Sequence, residues 1–215
     1  MILLLFGPPG CGKGTQAASL AEKLHIPDIS TGEVFRAECK SGTELGKMAS
    51  EIMAKGGLVD DEIVDAMVAK RIAQADCARG FLLDGYPRTV PQAQYFSALL
   101  KQRGLPAPIV LHLDVPDDVV VTRLTSRRQC PECRNIYNLL SQPPKAAGIC
   151  DYCHAPLFTR EDDLEPVIRR RLKAYQEQTG PILDWYGPSL VQTIDGSLPS
   201  AQVAAAIEKA LTVCA

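Results

Sequence analysis

The chain has 215 residues, 46% of them hydrophobic, with 23 Lys and Arg against 25 Asp and Glu for a formal net charge of −2. That length predicts one main core carrying insertions, and the near-neutral balance excludes a general attraction for nucleic acid or an anionic membrane, so any anion site must be local. The apolar start at Met1 to Phe6 has no basic flank and runs at once into Gly7-Pro8-Pro9-Gly10, short of a signal-peptide core or a membrane span, so a cytoplasmic protein is expected.

In chain order, the run Ile2 to Phe6 lacks a polar face, as a central parallel strand covered on both sides should. It is followed by Gly7-Pro8-Pro9-Gly10-Cys11-Gly12-Lys13-Gly14-Thr15 and an amphipathic stretch over 15–24. Strand, glycine loop and helix form the context of a phosphate cradle. Backbone N–H groups turn inward, the helix N-terminus adds positive potential, and Lys13 reaches the outer phosphates. A merely flexible turn is the competing reading, but a turn has no use for a Lys at this offset. One departure is Gly14, where the general motif has Ser or Thr; the hydroxyl follows at Thr15.

Residues 30–59 show two short helical patterns separated by Ser41-Gly42 and closed by Gly56-Gly57, a helical excursion from the sheet. Amphipathic stretches over 63–75, 91–103 and 201–211 then alternate with apolar runs over 81–83, 109–113 and 190–194, which reads as an α/β parallel sheet. Residues 127–163 interrupt this alternation with cysteine pairs, Pro143-Pro144 and little helical periodicity.

Of the eight cysteines, Cys11, Cys39, Cys77 and Cys214 are scattered, whereas Cys130-Pro-Glu-Cys133 and Cys150-Asp-Tyr-Cys153 repeat a C-x2-C spacing suited to tetrahedral zinc. A segment of under about forty residues cannot bury enough apolar surface to fold alone, and structural zinc contributes on the order of 10–16 kcal/mol in isolated finger peptides. Four thiolates fill the shell, so such a zinc is structural. Disulfide pairing and a rubredoxin-like iron site are the alternatives.

The Gly-Lys-Gly-Thr loop, Ile29-Ser30-Thr31-Gly32 with Arg36, Leu82-Leu83-Asp84-Gly85-Tyr86-Pro87-Arg88-Thr89 with Gln92, and Thr159-Arg160-Glu161-Asp162-Asp163 with Arg171 together resemble the long-lid adenylate kinases in order and spacing. The resemblance covers nearly the whole chain. It implies a P-loop NTPase-type five-stranded parallel sheet flanked by helices. The core would be 1–29, 60–126 and 164–215, the AMP-binding insertion 30–59, and the lid 127–163. It further implies reversible transfer from Mg-ATP to AMP, giving two ADP, by a monomer that binds neither nucleic acid nor membrane.

An AMP phosphate oxygen is already ionised near neutral pH, so the chemistry needs converging cations more than a general base. His25, His112 and His154 fall outside the motifs and take a structural reading. The resemblance implies that Lys13, Arg88, Arg127, Arg160, Arg171 and Asp84 are catalytic, with Asp84 acting on the water shell of Mg2+. ATP would meet Gly10, Cys11, Gly12, Lys13, Gly14, Thr15, Arg123, Arg127, Ile136, Tyr137 and Leu198. AMP would meet Thr31, Arg36, Gly57, Leu58, Val59, Gly85, Arg88, Gln92, Arg160 and Arg171, the Gln92 amide reading the adenine edge. Asp162 and Asp163 would orient the lid arginines.

Two positions depart from the pattern. Pro166 fits only a first helical turn, which starts that helix near Leu164. Leu198 stands where relatives often carry Lys, a change that a backbone contact survives. Rival readings are a kinase of other specificity (GTP:AMP, or UMP/CMP) and, from another class, a zinc-ribbon nucleic-acid binder. The latter predicts a basic surface around Cys130 to Cys153, yet that stretch mixes Arg134 and Lys145 with Glu132 and Asp151.

Overall fold

In chain order the strands are β1 (Ile2–Phe6), β2 (Asp28–Ser30), β3 (Phe81–Asp84), β4 (Ile109–Asp114), β5 (Arg127–Gln129), β6 (Ile136–Asn138) and β7 (Val191–Asp195). The computed structural model describes residues 1–35, 47, 51–52 and 58–214. Five strands form a parallel sheet in the order β2-β3-β1-β4-β7, and β5 pairs antiparallel with β6. The helices are α1 (Lys13–Leu24), α2 (Asp61–Ile72), α3 (Val90–Gln102), α4 (Asp117–Thr125), α5 (Glu165–Ala174), α6 (Gly180–Tyr186) and α7 (Ser200–Cys214), with a π-helical turn, Tyr175–Thr179, between α5 and α6. Among the described residues no helix is long and apolar enough to cross a membrane.

Every residue of β1 is buried, and the period of two sends its side chains to two separate cores. Leu4 and Phe6 join Leu83, Val110, Phe96 and Ile182 on one face; Leu3 and Leu5 join Leu82, Leu111, Ile168 and Ile207 on the other. The expected five-stranded α/β sheet is therefore present. α2 begins at Asp61, two residues before the predicted start, because the Asp60 side chain accepts from Glu62 N–H at 3.0 Å and caps it. α5 opens at Glu165 with Pro166 in its first turn, as the ring requires.

The register sets Leu5 opposite Asp84 and Phe6 opposite His112. The carboxyl ends of β1, β3 and β4 thus lie side by side, and the loop after β1 emerges beside the end of β3. In open parallel sheets this edge is where ligands bind.

Candidate functional site

The loop after β1 turns into α1 at Gly12, whose φ of 101° is left-handed. A methyl there would meet nothing within 4 Å, so the backbone lies open for a close approach. Lys13 folds back onto the loop, its Nζ donating to Gly7 O at 2.7 Å and Pro8 O at 2.9 Å and lying 3.5 Å from Cys11 Sγ. A methyl on Gly14 would lie 3.9 Å from Asp84 Oδ2, which places that carboxylate beside the end of the loop. Desolvation, with Asp84 and Glu33 adding repulsion, pushes the Asp28 carboxyl up to about 6 although part of that residue meets solvent.

Below the loop, His112 Nε2 and the Tyr175 hydroxyl are 3.1 Å apart, and burial, with Lys13 nearby, lowers the His112 pKa. The pairing is part-buried and joins the end of β4 to the π-helical turn.

A second cluster lies at the end of β3. Gly85 O accepts from Arg88 Nε at 2.7 Å and from Thr31 Oγ1 at 2.9 Å. A methyl on Gly85 (φ 81°) would come within 2.9 Å of Arg88 Nη2 and 3.1 Å of Thr31 Oγ1, so this residue must be bare for the arginine and threonine to converge. The Arg88 carbonyl accepts from Thr179 Oγ1 at 2.9 Å, which ties this turn to the π-helical segment. Gln92 is buried, accepting from Arg88 N–H and donating to Asp61, each at 2.7 Å. The Tyr86 hydroxyl donates to Asp65 at 2.6 Å. Burial raises the Asp65 pKa while that hydrogen bond opposes the rise. Leu58 and Val59 run directly into Asp60 and Asp61. The expected Arg36 and Gly57, and most of the helical patterns predicted within 30–59, lie outside the described residues.

The third cluster sits where residues 127–163 rejoin the core. Asp163 accepts from Arg127 Nε at 2.8 Å and Nη2 at 2.7 Å, with side chains 0% and 16% exposed. Asp162 takes Arg160 in the same two-pronged way, at 3.0 and 3.1 Å, and also holds Arg171 Nη1 at 3.0 Å. Burial works against ionising Asp162, but Arg171, Arg160 and Arg127 outweigh it and hold its carboxyl below the usual value. Three arginines from two stretches of chain are thus gathered on two adjacent aspartates. Arg128 turns instead to the carbonyls of Thr125 and Arg127, and Arg169 to Glu165 on its own helix.

Arg123 donates to Gly196 O at 2.7 Å and Ser197 O at 2.9 Å, which brings the end of α4 against the turn that precedes Leu198. Tyr137, expected to meet ATP, turns its side chain inward. Its side chain is 4% exposed and points into the cysteine cluster, with its hydroxyl 3.4 Å from Cys150 Sγ and accepting from Asp151 N–H at 2.8 Å. A period of two in β6 sends Ile136, 48% exposed, the other way. Any contact from position 137 to a nucleotide would therefore come from the backbone.

Cys130, Cys133, Cys150 and Cys153 bring all four Sγ atoms within 4.8 Å of one another. The nearest pairs are 3.2 to 3.5 Å apart, far beyond a disulfide bond of about 2.05 Å. Zinc–sulfur bonds of about 2.3 Å in a tetrahedron set sulfurs about 3.8 Å apart, inside the observed spread. The soft all-sulfur donor set and the near-equal spacing fit zinc, and equally iron. Only Cys130, Tyr137 and Cys150, with Ala155 and Leu157 against them, form the apolar centre of this described segment, a small core of the kind that metals often supplement.

The adenylate kinase family model matches residues 5–190. An adenylate kinase of Thermotoga neapolitana is 47% identical over 209 residues, covering 96% of this chain and 95% of that one. An adenylate kinase of Trichlorobacter lovleyi is 52% identical over 186 residues, 86% and 87% of the two chains, and one of Methanococcoides burtonii is 48% identical over 198 residues, 92% of each. With the Lys13 loop and the Arg88 turn at adjoining strand ends, a match of this length and depth means that the chain belongs to the adenylate kinase family.

Proposed function

We propose that the chain moves a phosphoryl group reversibly from Mg-ATP to AMP, giving two ADP. The observation that carries this reading is the placing of the Lys13 loop and the Arg88 turn at adjoining strand ends in a chain of this family. The substrates together bring about six negative charges that must lie in line and away from water, a task for fixed cations.

Lys13 would exchange the Gly7 and Pro8 carbonyls for phosphate oxygens of ATP, which lies along the backbone from Gly10 to Thr15. Arg88, with Arg36, would hold the AMP phosphate. Arg127, Arg160 and Arg171 would surround the transferring group, and Asp162 and Asp163 would keep their planar forks aimed. Thr31, Gly57, Leu58, Val59, Gly85 and Gln92 would form the acceptor base pocket. Arg123, Ile136, the Tyr137 backbone and Leu198 would border the ATP adenine. Asp84 and Thr15 are hard oxygen donors suited to Mg2+, which, when bound, neutralises charge on the donor phosphates. The cysteine site would hold a structural zinc.

Residues 30–59 would be the AMP-binding insertion and 127–163 the lid, on a core of 1–29, 60–126 and 164–215, in a cytoplasmic monomer. The rival readings, a GTP:AMP or UMP/CMP kinase and a zinc-ribbon nucleic-acid binder, gain no support from the family match. The test is a rate panel with AMP, UMP, CMP and GMP against ATP and GTP, alongside metal analysis of the purified protein. Preference for ATP with AMP and about one zinc per chain are expected. A faster rate with UMP or CMP than with AMP would overturn the specificity.

A further inference from the structure

Gln92 is 2% exposed, and both ends of its amide are held. Arg88 N–H donates to Oε1 at 2.7 Å, and Nε2 donates to Asp61 Oδ1 at 2.7 Å. A backbone N–H cannot accept and a carboxylate does not donate, so these partners fix which end of the amide is oxygen and which is nitrogen. Asp61 is itself anchored, since its Oδ2 accepts from the Thr89 hydroxyl at 2.7 Å, and that hydroxyl caps α3 by accepting from Gln92 N–H at 3.3 Å. One N–H and one lone pair of fixed polarity remain on the amide.

We propose that Asp61 is a positioning residue for acceptor specificity, locking Gln92 in the one orientation that reads a 6-aminopurine and rejects a 6-oxopurine. The inference rests on the reading in which Gln92 meets the acceptor base. Adenine offers a donor at its 6-amino group and an acceptor at N1, whereas hypoxanthine and guanine offer an acceptor at O6 and a donor at N1. An amide free to turn over pairs with either base, because swapping its ends swaps donor for acceptor. The tethered amide pairs with adenine and meets a 6-oxopurine donor to donor and acceptor to acceptor. Buried polar groups are then left unpaired, which is where hydrogen-bonded sites gain their largest discrimination. Asp61 is also the first residue of α2, directly after Leu58, Val59 and Asp60, so the tether joins the end of the acceptor insertion to the turn that carries Arg88.

The experiment measures kcat/KM for AMP and for IMP, with ATP as donor, in the full chain and in its Asp61→Ala, Asp61→Asn and Gln92→Ala variants. Asp61→Ala is expected to lower the AMP-to-IMP ratio about tenfold, the worth of one hydrogen bond to a charged group. Asp61→Asn, whose Oδ1 still accepts from Nε2, should keep the ratio within about threefold of the parent. A partly unfolded variant lowers both acceptors together, so the ratio is unaffected by lost protein. If Gln92→Ala collapses the ratio while Asp61→Ala lowers both acceptors by one factor, the lock is wrong. If Gln92→Ala leaves the ratio unchanged, the reading of Gln92 as the base reader fails, and the lock goes with it.

Discussion

Removing the Asp163 carboxylate tests the arginine cluster where the structure is most specific. Asp163 is wholly buried and takes two N–H bonds from Arg127 at 2.8 and 2.7 Å, closing a stretch of 36 residues. Breaking a buried pair from one side costs about 3–5 kcal/mol. Arg127 keeps a 16% window to water that softens the loss, so the lower end, about 3 kcal/mol, applies. Asp163→Ala also lets the Arg127 fork lose its aim, and misplacing a group that acts in the transition state lowers kcat on the order of a hundredfold.

The assay is steady-state ADP formation from ATP and AMP across a double-mutant cycle with Arg127→Ala. Asp163 acts through Arg127 in this account, so Asp163→Ala should cost little more once the arginine is gone, with a coupling of about 2 kcal/mol. Coupling below about 0.5 kcal/mol would refute the reasoning, because the aspartate would then be acting independently of the arginine it binds.

Gly85→Ala should raise the AMP KM about tenfold or more while the ATP KM stays nearly fixed, since the methyl meets Arg88 Nη2 at 2.9 Å in a left-handed residue; equal rises in both constants would count against an acceptor-side role. Tyr137→Phe, which deletes the hydroxyl beside Cys150 Sγ, should weaken zinc about tenfold in a chelator competition; unchanged affinity would show that the contact is incidental. Asp162 has a depressed pKa, so its stabilisation is complete above the unfolded value of 3.8 and is lost as pH falls through the folded value. The stability gap between the parent chain and Asp162→Asn, measured by urea unfolding, should therefore hold from pH 7 down to the region of 3.8 and shrink below it; a gap already closing near neutrality would contradict the ion-pair account.

Long-range partners explain most of what was hard to read in the chain. The run Ile2 to Phe6 announced a central strand because burial on both faces leaves no polar position. Asp28–Ser30 gave no such signal, since a three-residue edge strand with one buried apolar side chain is defined by its pairing with β3. α4 was obscured by Val119-Val120-Val121-Thr122, β-branched residues that lose side-chain freedom in a helix. Lys13 and the cysteines were legible because local spacing carries their chemistry, and Arg88 only through the resemblance to a family. Asp61, Asp65 and Thr179 were not, because their partners Gln92, Tyr86 and Arg88 lie 31, 21 and 91 residues away. The acidic run Asp60-Asp61-Glu62 was a faint signal for one of them, although a helix start alone would explain it.

The contacts also separate what shapes the segment 127–163 from what places it. Its shape depends on the cysteine cluster, since three buried residues are too small a centre to hold it. Its placement depends on other groups: Asp163 on Arg127, Asn138 Nδ2 donating to Arg123 O at 3.1 Å, and Leu139 N donating to Ser126 O at 2.9 Å. Metal loss should therefore unfold the segment's far end first while the Arg127–Asp163 strap at its root persists. In a protease time course on chelated protein, cleavage should begin between Cys130 and Cys153 and reach Arg127 later. Simultaneous cleavage at both would mean that the metal, and not the ion pair, holds the root in place.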